Sequence, residues 1–447
     1  MNEKTNRLGT MPIGKLLLSM SVPMMLSFFI QALYNIVDSM FVAKISENAL
    51  TAVSLAFPIQ QLMTAVAVGT GVAVNALVPR YNGHGEPERA RKIANNAVFL
   101  SCCYVLICLV IGFTLVHPYY LMQTDVTEIV AAGTQYLTII CTVSIGCFFG
   151  QNFEKLLLAT GNSVLSMASQ AAGAVVNIIF DPLLIFGVGP FPQMGVRGAA
   201  VATVFGQIIA AIVALTCLYI KEHSIRLDVK QMLPGIETLK QIFSIAIPSM
   251  ITVGLTSAMS FGMNQVLLLY STTATAVFGI WLKLQSFSFM PIFGMNNGVI
   301  TILSYNFGAG KLDRVRQTLN IALKIAIGLM LLLMVVFEFI PALLLHLFSA
   351  SDTMISIGSI ALRIAVISLP FGAFNLICSS SFQALGRSRY TLIITLCRQL
   401  IFIVPLAIFF SLFGELTFVW LAIPASELLS AVVALVFRKK VTEIIEM

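Results

Sequence analysis

The stretch Asn177-Ile178-Ile179-Phe180-Asp181-Pro182 places an amide, an acid and a helix-disturbing proline in otherwise apolar surroundings. Residues 156–180 contain no Asp, Glu, Lys or Arg, enough chain to cross a bilayer as a helix of ~20 residues. An ionisable group within or at the end of such a span is costly, so it calls for a functional reason. Asn177 lies one helical turn before Asp181 and on the same face, while Pro182 removes a backbone donor and leaves a carbonyl oxygen free to take a cation. Together they read as an ion or proton site in a membrane helix. The competing reading is an Asp181 that ends its helix in contact with water.

Composition extends the membrane reading to the whole chain. Of 447 residues, 10% are charged and 58% are hydrophobic, which fits a polytopic helical membrane protein and excludes a soluble globule. Charge-poor runs at 16–37, 48–79, 93–116, 129–153, 156–180 and 198–220 supply six spans. The second half continues with 241–282, long enough for two spans joined at Ser271-Thr272-Thr273, then 317–347, 353–380, 388–413 and 416–437. The expected fold class is therefore an all-α polytopic membrane protein of twelve transmembrane helices.

The net charge of +7 is distributed by loop and not by surface patch. Lys4, Arg7, Lys15, Arg80, Arg89, Arg91, Lys92, Lys221, Arg226, Lys230, Lys240, Lys311, Arg314, Arg316, Arg387, Arg389 and 438–440 fall on one predicted side. Lys44 and Arg197 alone fall on the other. By the positive-inside rule both termini are expected in the cytoplasm, and no nucleic-acid partner is needed to explain the excess. The apolar run after Lys15 is too long for a signal peptide and no small-residue cleavage site closes it, so the first span is expected to be retained. The eight cysteines lie within spans without metal-type spacing and read as small core residues.

Laid on itself at an offset of 225 residues, the chain matches in one gapless register: Pro23 with Pro248, Gly83 with Gly308, Gly85 with Gly310, Arg89 with Arg314, Gly133 with Gly358 and Gly161 with Gly386. Six spans separate the repeats, so both halves enter the membrane the same way round, as two six-helix lobes related by a parallel pseudo-two-fold axis around a central cleft. The expected division is an N-lobe over 1–220, a cytoplasmic linker over 221–240 containing Pro234-Gly235, and a C-lobe over 241–447. The glycine loops at Gly83 and Gly308 lack P-loop spacing, so they make a weak phosphate cradle.

The halves agree in scaffold and differ in buried charge. Asp38 faces Met263 in the alignment and Asp181 faces Leu406. The second half carries mainly bases within its spans, Lys283, Lys324, Arg363 and Arg398, beside Glu338 and Glu427. A proton or cation site is therefore expected in the N-lobe. Gln31, Tyr34 and Asp38 form a polar stripe on one face of the first span, which suits a cavity wall, or an outer interface for Asp38. Thr203 could add a hydroxyl to the Asp181 cluster. Glu154 comes about two turns before the turn at 160–163, as a cavity acid or a paired interface charge. No HExxH, GxSxG or paired intramembrane histidines appear, so an enzyme is not expected, and a one-sided acid cluster suits alternating access better than a symmetric pore.

With these residues in hand the chain resembles the MATE family of multidrug and toxic-compound extrusion transporters, in the bacterial branch with coupling acids in the N-lobe. The resemblance rests on the two six-helix halves, Tyr34-Asn35-Ile36-Val37-Asp38, Asn177 with Asp181-Pro182, the turns at Ala159-Thr160-Gly161-Asn162 and Ala384-Leu385-Gly386-Arg387, and the Gly83 and Gly308 loops. It implies antiport driven by protons or sodium, with Asp38, Asn177, Asp181 and Thr203 as the ion-coupling site and as the possible sodium ligands. Gln31, Tyr34, Tyr136 and Glu154 would line the drug cavity, with Met63 and Phe153, beside Met290 and Met295, as a permissive wall for lipophilic cations. The expected setting is a bacterial cytoplasmic membrane, as a monomer among membrane lipids, with no cofactor beyond the coupling ion. A lipid-linked oligosaccharide flippase of the same superfamily is the alternative, which would want cations such as Lys283, Arg363 and Arg398 in its cleft.

Overall fold

The computed structural model describes residues 3–221, 234–348 and 350–446, and these are helical with no strand among them. A short helix α1 (Glu3–Thr10) precedes α2 (Ile13–Ala43), α3 (Glu47–Gly83), α4 (Pro87–Thr114), α5 (Val116–Gln123), α6 (Thr127–Thr142), α7 (Ile145–Ala159), α8 (Ser163–Phe186) and α9 (Val196–Lys221). The second half runs through α10 (Ile236–Leu268), α11 (Thr272–Gly308), α12 (Leu312–Phe339), α13 (Pro341–His346), α14 (Asp352–Ala365), α15 (Ser368–Ala384) and α16 (Ser388–Leu396). A π-helical turn at Cys397–Ile401 then leads into α17 (Ile403–Ser411), α18 (Leu416–Trp420) and α19 (Ala422–Glu446).

Ten stretches among the described residues are long and apolar enough to span a membrane, and the pairs α6 with α7 and α14 with α15, each bent by 45°, bring the number to twelve. The architecture is the expected one, with three boundaries moved. The fourth span runs on from α6 through α7 to Ala159, so Glu154 and Lys155 lie inside a span and not between two. The eighth span reaches Gly308, well beyond 282, because α11 stays helical through Lys283, Asn296 and Asn297. The expected linker over 221–240 ends early, since α10 begins at Ile236; residues 222–233 of that linker lie outside the described residues.

The repeat is visible in backbone detail. Ser46 caps α3 by accepting from Ala49 N at 3.0 Å, and its counterpart Ser271 caps α11 by accepting from Ala274 N at 3.1 Å. Across the pseudo-axis α2 packs along α11 and α3 along α10. At the end carrying the basic loops, Gly83 meets the Tyr305 carbonyl and its counterpart Gly308 meets the Arg80 carbonyl, a reciprocal contact that leaves no room for a Cβ. His84 Nδ1 also contacts the Gly308 carbonyl. These glycines therefore serve close helix approach, which explains them better than a phosphate cradle.

Inter-lobe hydrogen bonds among the described residues gather in that same half of the molecule. Asn306 Nδ2 and Arg314 Nη2 donate to the Leu8 carbonyl at 3.0 and 3.2 Å, and Tyr81 Oη donates to Gln241 Oε1 at 2.8 Å. Deeper in, Lys155 Nζ donates to Asn297 Oδ1 at 3.1 Å, Asn75 Nδ2 to the Asn297 carbonyl at 3.1 Å and Thr301 Oγ1 to Asn75 Oδ1 at 2.7 Å. Among the described residues no inter-lobe hydrogen bond is found in the opposite half, where Phe29 meets Phe287 edge-on at 5.8 Å and Phe57, Leu62 and Phe261 are exposed. Polar contacts between the lobes among the described residues are thus concentrated at the basic end, and aromatic contacts join them elsewhere.

Candidate functional site

The N-lobe site depends on how closely α8 and α9 cross. A Cβ at Gly206 would lie 2.7 Å from the Gly173 carbonyl oxygen and 3.1 Å from Asn177 Cβ, and one at Gly173 would lie 2.7 Å from the Gly206 carbonyl, so only glycine fits on both sides. Beyond the crossing, Gly187 ends α8 in the left-handed region at φ 73°, and the hairpin folds back so that Met194 N donates to the Leu184 carbonyl at 2.9 Å and Gly195 N to the Ile185 carbonyl at 3.1 Å. Gly187 and the residues up to Pro192 thus fasten the hairpin and hold Thr203 against Asn177.

Asp181 is fully buried and Asn177 nearly so. With its amide oxygen toward α9, Asn177 accepts from Thr203 N at 3.2 Å and donates to Asp181 Oδ2 at 3.3 Å. Its amide also lies 3.5 Å from Thr203 Oγ1. From α2, the Asp38 carboxyl comes within hydrogen-bonding reach of the Asp181 carboxyl, while Asp38 Oδ1 is buried without a protein partner. Asp38, Asn177, Asp181 and Thr203 are therefore brought together from three helices, α8 continuing unbroken through Pro182. Among the described residues neither carboxyl has a basic partner. Two carboxyls, an amide and a hydroxyl are hard oxygen donors, suited to a proton or to an alkali cation.

Immediately above this cluster lies a cavity of about 150 Å³, walled by α2, α3, α7, α8 and α9 and so contained in the N-lobe. Gln31, Tyr34 and Glu154 line it, as do Asn177 and Thr203, so the cavity and the carboxyl pair share a wall. Tyr34 lies one helical turn from Gln31 on the same face and stands beside Asp38. Met63, Tyr136 and Phe153 are not among the lining side chains. Met63 is packed against Cys141, Phe153 against Phe149, and the Tyr136 hydroxyl, which stands near Asp38, accepts from Gln60 Nε2 at 3.2 Å. All three are buried; Met63 and Phe153 sit on helices that reach the cavity with other residues, Thr64 and Gly150, while Tyr136 lies on α6, which does not reach it. Met295 on α11 is likewise a core residue.

Glu154 resolves as a paired acid. It is buried, with Lys155 Nζ donating to its Oε1 at 3.2 Å while the same ammonium reaches Asn297 across the lobe interface. Sequence reading missed Gln151, Gln170 and Gln207, which also face the cavity. Each is a glutamine in an apolar span, and that anomaly was the available signal. In the C-lobe, Arg398 pairs with Glu427 at 3.3 Å and Arg363 with Glu338 at 3.7 Å, while Lys283 lies over the Phe348 ring at 5.8 Å.

Two six-helix lobes joined by polar contacts at the basic end, and a membrane-buried carboxyl pair beside a cavity, define a two-lobe membrane transporter. The MatE family model matches residues 23–183 and again 248–409, two segments that begin 225 residues apart, and the chain belongs to that family. Over 97% of this chain and 96% of the relative it is 25% identical to a FAD transporter of Shewanella oneidensis. Over 91% of this chain and 89% of the relative it is 25% identical to the multidrug export protein MepA of Staphylococcus haemolyticus. Its fold matches an outward-facing conformation of a multidrug resistance MATE family transporter of the MOP superfamily with a TM-score of 0.92 at 23% identity, over 100% of this chain and 99% of that one.

Proposed function

We propose that the protein is a secondary active efflux transporter that exports lipophilic, often cationic small molecules in exchange for protons or sodium, by rocking its two lobes around the central cleft. One observation carries this reading: Asp38 and Asp181 face each other in membrane helices, without a basic partner among the described residues and one wall away from a cavity. Two carboxylates in so dry a place cannot both stay bare, so the pair holds either a proton or a cation. Loading the coupling ion neutralises the pair and releases substrate, and unloading it restores the negative charge that attracts the next cationic substrate. Competition for one charge supplies the coupling. With both termini in the cytoplasm, the basic end, where the inter-lobe polar contacts gather, faces inward and the cleft opens outward.

Energetics favour more than one ion per cycle. A membrane potential of ~100 mV is worth ~2.3 kcal/mol per charge and a pH unit ~1.4 kcal/mol, so one proton exchanged for a monovalent cation cancels the electrical part. Two protons regain it and raise the drive to roughly 5 kcal/mol, and a site with two carboxyls can carry both. A second substrate reading is favoured by the cavity's four glutamine amides and by the prior pairing of its one lining acid, Glu154. Such a wall suits a planar, polar, hydrogen-bonding compound of the flavin kind, in keeping with the name of the Shewanella relative. The flippase alternative lacks support from this cavity, whose lining includes no base.

The test is ethidium efflux from loaded vesicles under a proton gradient or a sodium gradient imposed separately. Efflux following the proton gradient alone assigns the pair to proton exchange, and efflux following sodium assigns it to a bound cation. Ethidium driven by neither gradient, with lipid flipping in its place, would overturn the reading.

A further inference from the structure

The C-lobe counterpart of the N-lobe cavity is filled with polar groups. At the 225-residue offset, Thr256, Asn375, Arg398 and Gln399 correspond to Gln31, Gly150, Gly173 and Ala174, all four of which line the N-lobe cavity. Where that lobe has small residues around a space, this one has an arginine and two amides. Arg398 sits in the π-helical turn Cys397–Ile401, a local widening of the helix of a kind frequent at functional sites. Its Nε lies 3.3 Å from Glu427 Oε1, and the arginine side chain stays 23% exposed. Among the described residues Glu427 is the guanidinium's one partner, so the two terminal nitrogens remain uncommitted.

The amides around it are half-satisfied. Asn375 Nδ2 donates to Glu427 Oε2 at 2.8 Å and to the Glu427 carbonyl at 3.0 Å, yet Asn375 Oδ1 is buried without a partner. Gln399 Nε2 donates to Thr256 Oγ1 at 3.1 Å, yet Gln399 Oε1 is likewise buried and unpartnered. Both residues are more than nine-tenths buried. Unmade bonds at such depth are costly and call for an occupant. On α10, Thr252, Thr256, Ser260 and Asn264 recur every fourth residue as a polar track on a membrane helix, and Thr256 is exposed.

We infer that Arg398, Asn375, Gln399 and Thr256 form a ligand subsite for a phosphate ester flanked by hydroxyls. The phosphate oxygens take the terminal nitrogens of Arg398, and the hydroxyls donate to the orphan oxygens of Asn375 and Gln399, so that acceptors and donors are matched together. Glu427 orients the guanidinium and keeps it from collapsing onto the arriving anion. This chemistry is offered by a glycerophospholipid headgroup and equally by a soluble sugar or polyol phosphate. The subsite stands on its own geometry and does not depend on the coupling role of the N-lobe acids.

The test uses the full-length protein in neutral detergent with glycerol 3-phosphate as probe, its binding read from broadening of the phosphorus NMR line. Because Arg398→Gln alone leaves Glu427 buried and unpaired, the diagnostic variant is Arg398→Gln combined with Glu427→Gln, compared with Asp181→Asn. The expected result is saturable binding by the wild type, weakened roughly tenfold or more in the double variant as charge-assisted bonds are lost, and unchanged in Asp181→Asn. Displacement by phosphatidylglycerol but not by phosphatidylcholine identifies a lipid headgroup as occupant, and no displacement by either identifies a soluble phosphate. Equal broadening in wild type and double variant would place the anion on the basic loops and overturn the inference, as would no broadening in the wild type.

Discussion

Asp181→Asn is expected to abolish gradient-driven efflux while leaving the protein folded. The substitution keeps shape and hydrogen-bonding capacity beside Asn177 and Thr203, but an amide can neither gain nor lose a proton and carries no charge for a cation. Under a proton gradient, the wild type sustains roughly tenfold accumulation per pH unit for each proton exchanged, and the variant should fall to no accumulation at all. Asp38→Asn should do the same, because the two carboxyls face each other and act as one unit. Thr203→Val should weaken transport without ending it, since Asp181 keeps its bond from Asn177. Measured ethidium efflux from vesicles distinguishes these outcomes, and a normally active Asp181→Asn would remove the pair from the mechanism.

Lys155→Met is expected to lower the protein's stability strongly. Lys155 and Glu154 are both about nine-tenths or more buried, and the lysine alone links that acid to Asn297 of the opposite lobe. Removing it strands a buried carboxylate, which costs about 3–5 kcal/mol, whereas replacing both partners by neutral groups costs far less. Unfolding of the detergent-solubilised protein on heating should therefore fall sharply in Lys155→Met and recover largely in the double variant with Glu154→Gln. Recovery of stability should not restore inter-lobe coupling, because the Asn297 contact stays lost. A Lys155→Met protein as stable as the wild type would show that Glu154 finds another partner.

Most of the architecture was legible because membranes impose a strict rule. Apolar runs of sufficient length must be helices, and the 225-residue register of prolines and glycines marks two lobes by itself. Boundaries moved where a span carries polar groups for a partner helix. Glu154 and Lys155 look like a break between two spans until Asn297 is seen to accept from Lys155, and Asn297 itself belongs to a part of α11 left out of the expected spans. The carboxyl cluster was legible in part: Asn177 and Asp181 share a helix face by spacing, but the approach of Asp38 from α2 depends on packing that no local pattern encodes. Met63, Tyr136 and Phe153 show the converse limit. Their chemistry suits a drug pocket, yet all three side chains are packed away from this cavity, which depends on how α3, α6 and α7 pack in three dimensions rather than on residue type.

The account stands on competition between substrate and coupling ion at the Asp38 and Asp181 pair, and the most direct measurement counts protons. Tetraphenylphosphonium is added to the purified protein in sodium-free, weakly buffered detergent, and the pH change is recorded together with binding. The account predicts that the wild type releases protons in proportion to cation bound, and that the variant with both Asp38→Asn and Asp181→Asn releases none and binds more weakly. Binding without proton release in the wild type, undiminished in the double variant and unaffected by added sodium, would contradict it.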